Sequence, residues 1–334
     1  MPRDCDDNRR HWPACGRWSV TETLNLFGND LFGDRIEPPS RGKLADLFTV
    51  PPFSVLNARE GHWQDRKRAW LAMGIRGEVG RIAGRAGAGV NQWAKKTEGI
   101  SGGCQGFDDD YVSVFDPVVC ELVYRWFCPP DGLVLDPFAG GSVRGIVAHM
   151  LDRRYWGCDL RPEQIAANEE QAATMALDPR PTWVCADALD AVPTAPAADL
   201  VFTCPPYGDL ERYSDHPRDL SAMPHEVFMA AYGRIILRAC ERLKQDRFAA
   251  IVVGDFRDKR GHYRNFVSDT IAAFQSAGLH MYNEAILVTT TGSLQMRVRR
   301  FFEVSRKLGK THQNLLVFVK GDPRKATAAI VGQP

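Results

Sequence analysis

The sequence predicts an α/β fold: a seven-stranded, mostly parallel sheet covered by helices on both faces, with an antiparallel strand at one edge and an N-terminal extension. Three observations predict it. From Phe107 onward, apolar runs of strand length alternate with helical segments, the order that builds a parallel sheet. Several of those runs are apolar at every position, as strands buried on both faces are. The last two strands follow one another with no covering helix between them, which suggests an antiparallel pair.

In chain order, a helix at about 116–128 precedes the strand LVLD (133–136), a glycine turn and a helix at 143–151. The strand YWGCD (155–159), a helix at 162–174 and the strands TWVCAD (182–187) and DLVFT (199–203) follow. A helix at 224–243, the strand FAAIVVGD (248–255) and a helix at 264–277 lead to MYNEAILVTT (281–290) and NLLVFVK (314–320). Residues 107–322 thus form the main domain, and 323–334 a tail. Residues 1–45 mix charge, Pro and Gly without periodicity and read as a poorly ordered lead-in. Cys5, His11 and Cys15 there fit no common zinc spacing, so no metal site is expected. Residues 46–106 are a basic extension. It has an extended stretch (VPPFSVLNA), a short helix in WQDRKRAWLAMGI and a Gly/Ala-rich segment, 83–106, expected to be a mobile loop.

The bulk numbers exclude more than they propose. The 334 residues, 44% hydrophobic and 25% charged, suit one large domain with an extension. Lys and Arg number 42 against 41 Asp and Glu, so any footprint for a nucleic acid must be local. No apolar run approaches the roughly 18–20 residues that span a bilayer. The N-terminus lacks an apolar signal core, so a cytoplasmic protein without a membrane partner is expected. Nine cysteines without a CxxC pair read as reduced thiols.

Two places carry chemistry. The run Leu133-Val134-Leu135-Asp136 ends a strand in an acid, and Pro137-Phe138-Ala139-Gly140-Gly141-Ser142 turns it into a helix. Ligands of open α/β sheets bind beyond the carboxyl ends of strands, where glycine lets them approach the backbone. The next strand ends in Asp159, 23 positions after Asp136, placed to accept hydrogen bonds from ribose hydroxyls. The third ends in Asp187. No Gly-Lys-Ser/Thr follows, so the turn is not a P-loop. After the fourth strand comes Thr203-Cys204-Pro205-Pro206-Tyr207. Two prolines remove two backbone donors, leaving carbonyls that accept from an amino group, and the aromatic ring offers a stacking face.

On these residues the main domain resembles the S-adenosylmethionine-dependent methyltransferases that modify exocyclic amino groups of DNA bases. DPFAGGS (136–142) resembles their cofactor turn and TCPPY (203–207) their catalytic motif. More loosely, the region resembles DNA methylases of bacteriophages and prophages, enzymes of the restriction-modification kind. The resemblance implies a Rossmann-like class I methyltransferase fold with S-adenosylmethionine as cofactor. It assigns Asp159 to the ribose, Asp187 to the adenine edge, Phe138, Gly140 and Gly141 to the cofactor wall, and Phe115-Asp116 to the methionine end. Asp136 and the flanking Pro137, Ser142, Leu160 and Ala188 are expected to bind the cofactor as well. Cys204 stands where the family has Ser, Asn or Asp, and a thiol is a weak acceptor, which passes orientation of the amine to the Pro205 carbonyl. TCPPY is closest to the TSPPY form, so cytosine N4 is favoured over adenine N6. A cysteine nucleophile of the C5-cytosine type needs the order Pro-Cys, whereas the order here is Cys-Pro-Pro.

Two basic stretches flank this region. Between Arg59 and Lys96 nine Lys/Arg face three acids, Arg66, Lys67 and Arg68 among them. From Gly292 to His312, Arg297, Arg299, Arg300, Arg306, Lys307 and Lys310 face the single acid Glu303. Both read as surfaces that contact nucleic-acid phosphates, the first through Arg66, Lys67 and Arg68 and the second as a hairpin; for each, a solvated face is the alternative. Double-stranded DNA is the expected partner, with the target base flipped onto Tyr207 and Gly208–Asp215 closing over it. An RNA or protein amine methyltransferase is the alternative enzyme, and a methyltransferase fold that has lost transfer the alternative without activity.

Overall fold

The computed structural model describes residues 43–77, 114–208, 213–214, 216–289, 291–292 and 294–331. Cys5, His11 and Cys15, the 83–106 segment and most of 209–215 lie outside them.

Among the described residues eight strands form one sheet in the order β1-β7-β8-β6-β5-β2-β3-β4. They are β1 (Val55–Asn57), β2 (Leu133–Asp136), β3 (Arg154–Asp159), β4 (Thr182–Cys185), β5 (Ala198–Thr203), β6 (Leu243–Val253), β7 (His280–Val288) and β8 (His312–Lys320). The helices are α1 (Lys43–Phe48), α2 (Gly61–Ala72), α3 (Pro117–Phe127), α4 (Val143–Met150), α5 (Pro162–Thr174) and α6 (Ala188–Ala191), then α7 (His225–Arg242), α8 (Phe266–Ser276), α9 (Leu294–Ser305) and α10 (Pro323–Val331). β8 is antiparallel to both β6 and β7, and all other pairs are parallel. The fold class is the expected one, with corrections at one end. The antiparallel strand does not form the edge. It slides between β6 and β7, with Ile251 opposite Leu316 on one side and Ala285 opposite Leu315 on the other. The sheet has eight strands rather than seven, because β1 of the N-terminal extension pairs in parallel with β7, Leu56 opposite Leu287. Three residues make a short edge, one way a sheet discourages pairing with further chains.

Two further segments differ from expectation. The expected basic hairpin between the last two strands is the helix α9, and the tail 323–334 contains α10. α1 begins within the expected lead-in.

Alternation along the central strands sends side chains to two helical layers. Leu135, Val201, Ile251 and Phe318 face a cluster with Phe228, Tyr232 and Ile236 of α7 and Phe266 and Phe274 of α8. On the other face Phe202 meets Tyr124 of α3 edge-on, ring centroids 5.6 Å apart. α3 starts where it does because Pro117 supplies a helical φ at its first turn and the Asp116 carboxylate accepts from the Val118 N–H at 3.0 Å.

The extension docks on α3 through side chains that composition alone marked as a basic surface. Trp63 and Trp70 of α2 are buried, and both indole N–H groups donate to acids of the α3 region, Trp63 to Asp116 at 3.2 Å and Trp70 to Glu121 at 2.9 Å. Arg66 Nε lies 2.5 Å from Glu121 Oε2, and Lys67 Nζ lies 3.2 Å from Asp116 Oδ2. Glu121 is fully buried, so Arg66 neutralises an internal charge. Arg68 pairs with Asp65 of its own helix. This corrects the expectation of a phosphate-contacting triplet at 66–68: two of the three cations hold the fold together. No helix among the described residues is long and apolar enough to cross a membrane.

Candidate functional site

The turn after β2 is held from below by a buried charge. Asp136 has no exposed surface, and four donors meet its carboxylate. These are Arg144 Nε at 2.5 Å, the Tyr155 hydroxyl at 2.8 Å, the Thr203 hydroxyl at 2.5 Å and the Phe138 N–H at 3.1 Å. Arg144, in the first turn of α4, also donates to the carbonyls of Phe138 and Ala139, at 2.6 and 2.9 Å. Burial opposes the charged guanidinium, but Asp136, with Tyr155 and Cys204, more than offsets it and holds the Arg144 pKa well above its ordinary value. Asp136 and Thr203 are therefore not free to touch a ligand. Their hydrogen bond ties the turn after β2 to the end of β5.

Above this support the chain turns through Gly140 at φ +49°, a conformation that favours glycine. The Gly140 N–H donates to Asp159 Oδ2 at 3.1 Å, and its carbonyl accepts from Asn168 Nδ2 at 2.8 Å. Asn168 belongs to a stripe of amides on α5, Gln164, Asn168 and Gln171, all buried. Gln164 donates to Asn168 at 2.9 Å, and Gln171 accepts from the Ser142 hydroxyl. The spacing i, i+4, i+7 puts the three on one helix face, a sequence signal for a buried polar ladder that a search for acids and glycines passes over. Phe138 stacks on Tyr232 of α7 (6.0 Å, 21°), and Tyr232 on Phe228 (5.8 Å, 8°). Each such contact contributes about 0.5–1.5 kcal/mol beyond area burial.

A cavity of about 380 Å³ opens beyond the strand ends. Of the expected positions, Pro137, Phe138, Gly140, Asp159, Leu160, Asp187 and Ala188 line it, and so do Cys204 and Pro206 of the second motif. One Asp159 oxygen faces Gly140 while the other accepts from the Arg161 N–H at 2.8 Å. Asp187 caps α6 by accepting from the Leu189 N–H at 2.8 Å. Leu189 and Ile235 add apolar wall, and Arg161, Tyr213 and Met223 complete it. Arg218 spans Asp187 (3.4 Å) and Asp190 (2.6 Å) at the rim. Arg218 comes from a segment without a recognisable pattern, and Ile235 from a helix whose spacing marks it only as core, so sequence reading misses both.

Other expected site residues lie elsewhere. Gly141, Ser142, Phe115 and Asp116 do not line the cavity. Phe115 lies under the Arg144 guanidinium (4.7 Å) with its edge toward Phe202, and Asp116 caps α3 and anchors α2. Pro205 is buried, and the Tyr207 ring packs edge-on against Phe256 and Phe266 at 6.3 and 6.2 Å. The Tyr207 hydroxyl accepts from Gln313 Nε2 at 2.6 Å and is hydrogen-bonded to the Cys204 side chain. Burial above all, and the neighbouring Cys204, push the phenol pKa well up, so it stays protonated. On α9 and after it, Arg297, Arg299 and Arg300 are exposed, and Arg299 pairs with Glu303 at 2.7 Å. Arg306 lies over the Phe302 ring at 5.2 Å.

Strands β4-β3-β2-β5-β6-β8-β7 form a parallel sheet with one inserted antiparallel strand, and the cavity sits at the carboxyl ends of its central strands. The fold is Rossmann-like, a doubly wound α/β sheet with the cavity beyond its strand ends. No protein-family profile matches the sequence, and no curated protein matches it. Among solved structures, the chain is similar to TrmN from Thermus thermophilus at 17% identity and a TM-score of 0.42, over 62% of this chain and 49% of that one. It therefore spans about half the length of that protein. It is also similar to the magnesium protoporphyrin IX methyltransferase of Synechocystis, solved with S-adenosylmethionine, at 15% identity and a TM-score of 0.37, over 57% of this chain and 71% of that one. A third is an S-adenosylmethionine-dependent methyltransferase from Clostridium acetobutylicum, 13% identical with a TM-score of 0.39, over 62% of this chain and 90% of that one. At such identities the likeness concerns fold alone.

Proposed function

We propose that the chain is an S-adenosylmethionine-dependent methyltransferase acting on the exocyclic amine of a DNA base, with cytosine N4 favoured over adenine N6. The observation that carries this reading is one cavity lined at once by the glycine turn, two strand-end carboxylates and Cys204 with Pro206.

The residues present fit the cofactor. Asp159 and Asp187 are hydrogen-bond acceptors for hydroxyl and amino groups, and Phe138, Leu160, Ala188 and Leu189 offer apolar faces to a flat ring. Gly140 keeps side-chain atoms out of the tightest part of the turn. When bound there, S-adenosylmethionine would supply a methyl group to an amine lone pair as its sulfonium S–CH3 bond breaks, and the surplus amine proton would pass to solvent, so little acid–base help is needed.

The chain's own task is then placement and exclusion of water. Pro205 and Pro206 have no N–H, so the backbone after Cys204 offers carbonyls to an incoming amino group and turns its lone pair toward the cavity. Thr203, locked on Asp136, sets the register of that backbone against the glycine turn. A paired base cannot reach such a site, so the target is flipped out of the duplex. The preference for cytosine rests on the likeness of TCPPY to TSPPY.

Incubating the purified protein with methyl-labelled S-adenosylmethionine and plasmid DNA tests the reading. N4-methylcytosine is expected, and Pro205→Ala with Tyr207→Ala should abolish it while leaving cofactor affinity by calorimetry unchanged. Asp159→Ala should weaken cofactor binding at least tenfold, about 1.4 kcal/mol. Label in RNA or protein in place of DNA would overturn the substrate, and absence of cofactor binding would overturn the reaction.

A further inference from the structure

We propose that the loop after β6 and the segment entering β8 form a clamp for a backbone phosphate of the DNA, immediately beside Tyr207. The proposal rests on the reading of the chain as a DNA methyltransferase, and it joins Arg257 to Lys307 and Lys310 of the basic stretch between β7 and β8.

Residues 257–263 form a small hairpin closed by a bridge between Arg257 and Tyr263. Its tip is preorganised. The backbone of Asp258 and His262 exchanges a hydrogen bond of 2.9 Å, and the Asp258 carboxylate accepts from the His262 N–H at 2.9 Å. Hydrogen bonds from the backbone of His262 first, then Gly261 and Arg260, lower the Asp258 pKa. That carboxylate is thus committed to its own turn.

Three cations from two chain segments meet around this hairpin. The Arg257 guanidinium lies 3.8 Å from the centre of the Tyr263 ring, and Lys310 Nζ lies 5.8 Å from the same centre. The Lys307 side chain crosses Gly261 so closely that a Cβ there would lie 2.5 Å from Nζ. Among the described residues none of these three cations forms an ion pair within 4 Å, and Arg257 donates only to the Gly261 carbonyl, at 2.8 Å. Lys310 is half-buried, and its pKa is lowered by that burial and by Arg257, with Asp255 opposing. Neighbouring cations with so little compensation repel one another, and an anion held between them relieves that repulsion.

The place of the cluster selects the anion. Phe256, one residue before Arg257, packs edge-on against the Tyr207 ring at 6.3 Å. Gln313, three residues after Lys310, donates to the Tyr207 hydroxyl at 2.6 Å. The cations therefore sit one side chain away from the catalytic motif, where the strand flanking a flipped base must pass. Tyr263, 42% exposed, adds an aromatic face of the kind nucleic-acid sites interleave with basic residues.

The test is duplex DNA binding followed by fluorescence anisotropy across a salt series, with S-adenosylmethionine affinity by calorimetry in parallel. In Arg257→Gln combined with Lys310→Gln, the slope of log affinity against log salt should flatten by about two, one for each lost phosphate contact. Cofactor affinity should not change. Should Arg257→Gln unfold the hairpin, Lys307→Gln with Lys310→Gln carries the test, since neither ammonium group closes a turn. DNA binding with an unchanged slope in that lysine pair would overturn the clamp and leave the methyltransferase reading standing. Absence of duplex binding by the unmodified protein would overturn both the clamp and the DNA substrate.

Discussion

Replacing Arg144 by methionine tests the support beneath the glycine turn, because it removes one side of a buried ion pair while roughly keeping volume. Asp136 is fully buried and Arg144 only 4% exposed, so solvent does not screen the loss. The carboxylate would keep the Tyr155 and Thr203 hydroxyls and one N–H, but no positive charge. Leaving a buried charge without its partner costs about 3–5 kcal/mol. The carbonyls of Phe138 and Ala139 lose their donor as well, at about 1–3 kcal/mol for a group left unpaired. Against a total stability of roughly 5–15 kcal/mol, Arg144→Met should leave a marginal fold. The pairing argument makes a sharper demand on the double variant. Asp136→Asn with Arg144→Met carries no buried charge, so it should be more stable than Arg144→Met alone, with a coupling of about 2 kcal/mol or more. It should still fall short of the unmodified protein, because the two carbonyls stay unpaired. Urea unfolding of the four proteins at pH 7 provides the measurement. An Arg144→Met protein within 1 kcal/mol of the parent, or a double variant no more stable than the sum of its singles, would refute the reasoning.

Three more expectations follow from the same geometry. Arg66, Arg125 and Trp70 outweigh the burial that raises the Glu121 pKa, which lies below its ordinary value, so its contribution is present above about pH 4.3 and lost as pH falls through the lower folded value. Stability should therefore drop more steeply below about pH 4 in the parent than in Glu121→Gln; parallel urea curves would remove Glu121 from the docking of α2. A Cβ at Gly157 would lie 2.7 Å from the Tyr155 hydroxyl and 2.9 Å from Ala139 Cβ, so Gly157→Ala should cost about 1–3 kcal/mol and weaken cofactor binding by shifting the turn. Unchanged affinity by calorimetry would detach that packing from the site. Cys204→Ser, a better acceptor than the thiol, should keep or raise the transfer rate, whereas Cys204→Ala should lower it about tenfold without changing cofactor affinity. Equal rates for the two would show that position 204 plays no part in orienting the amine.

Much of the scaffold is written locally. An apolar run followed by an acid and a glycine pair makes β2 and its turn whatever lies elsewhere, because strand propensity, glycine freedom and helix capping act over a few residues. The same holds for Asp159 and Asp187, which the structure places on the cavity as expected. Where the structure departs from the expectations, the deciding partner lies outside the local motif. Asp136 looked like a ligand-binding acid until Arg144, Tyr155 and Thr203, up to 67 positions away, took up its carboxylate. Arg66 and Lys67 looked like a phosphate surface, yet Glu121 and Asp116 claim them from 55 and 49 positions on. Between β7 and β8 the dense positive charge overlies a helical spacing of Leu294, Val298, Phe301 and Phe302, a local signal for α9.

The sequence by itself determined most strands and helices of the main domain, where the glycine turn falls and that acids stand at or just past the ends of β2, β3 and β4. Only the tertiary structure decided that β8 enters between β6 and β7, that three residues of the extension complete the sheet, and which charges neutralise one another inside it. The physical reason is range. Backbone preferences are set by neighbours in the chain, whereas strand order and the pairing of buried charges depend on which distant surfaces are desolvated together.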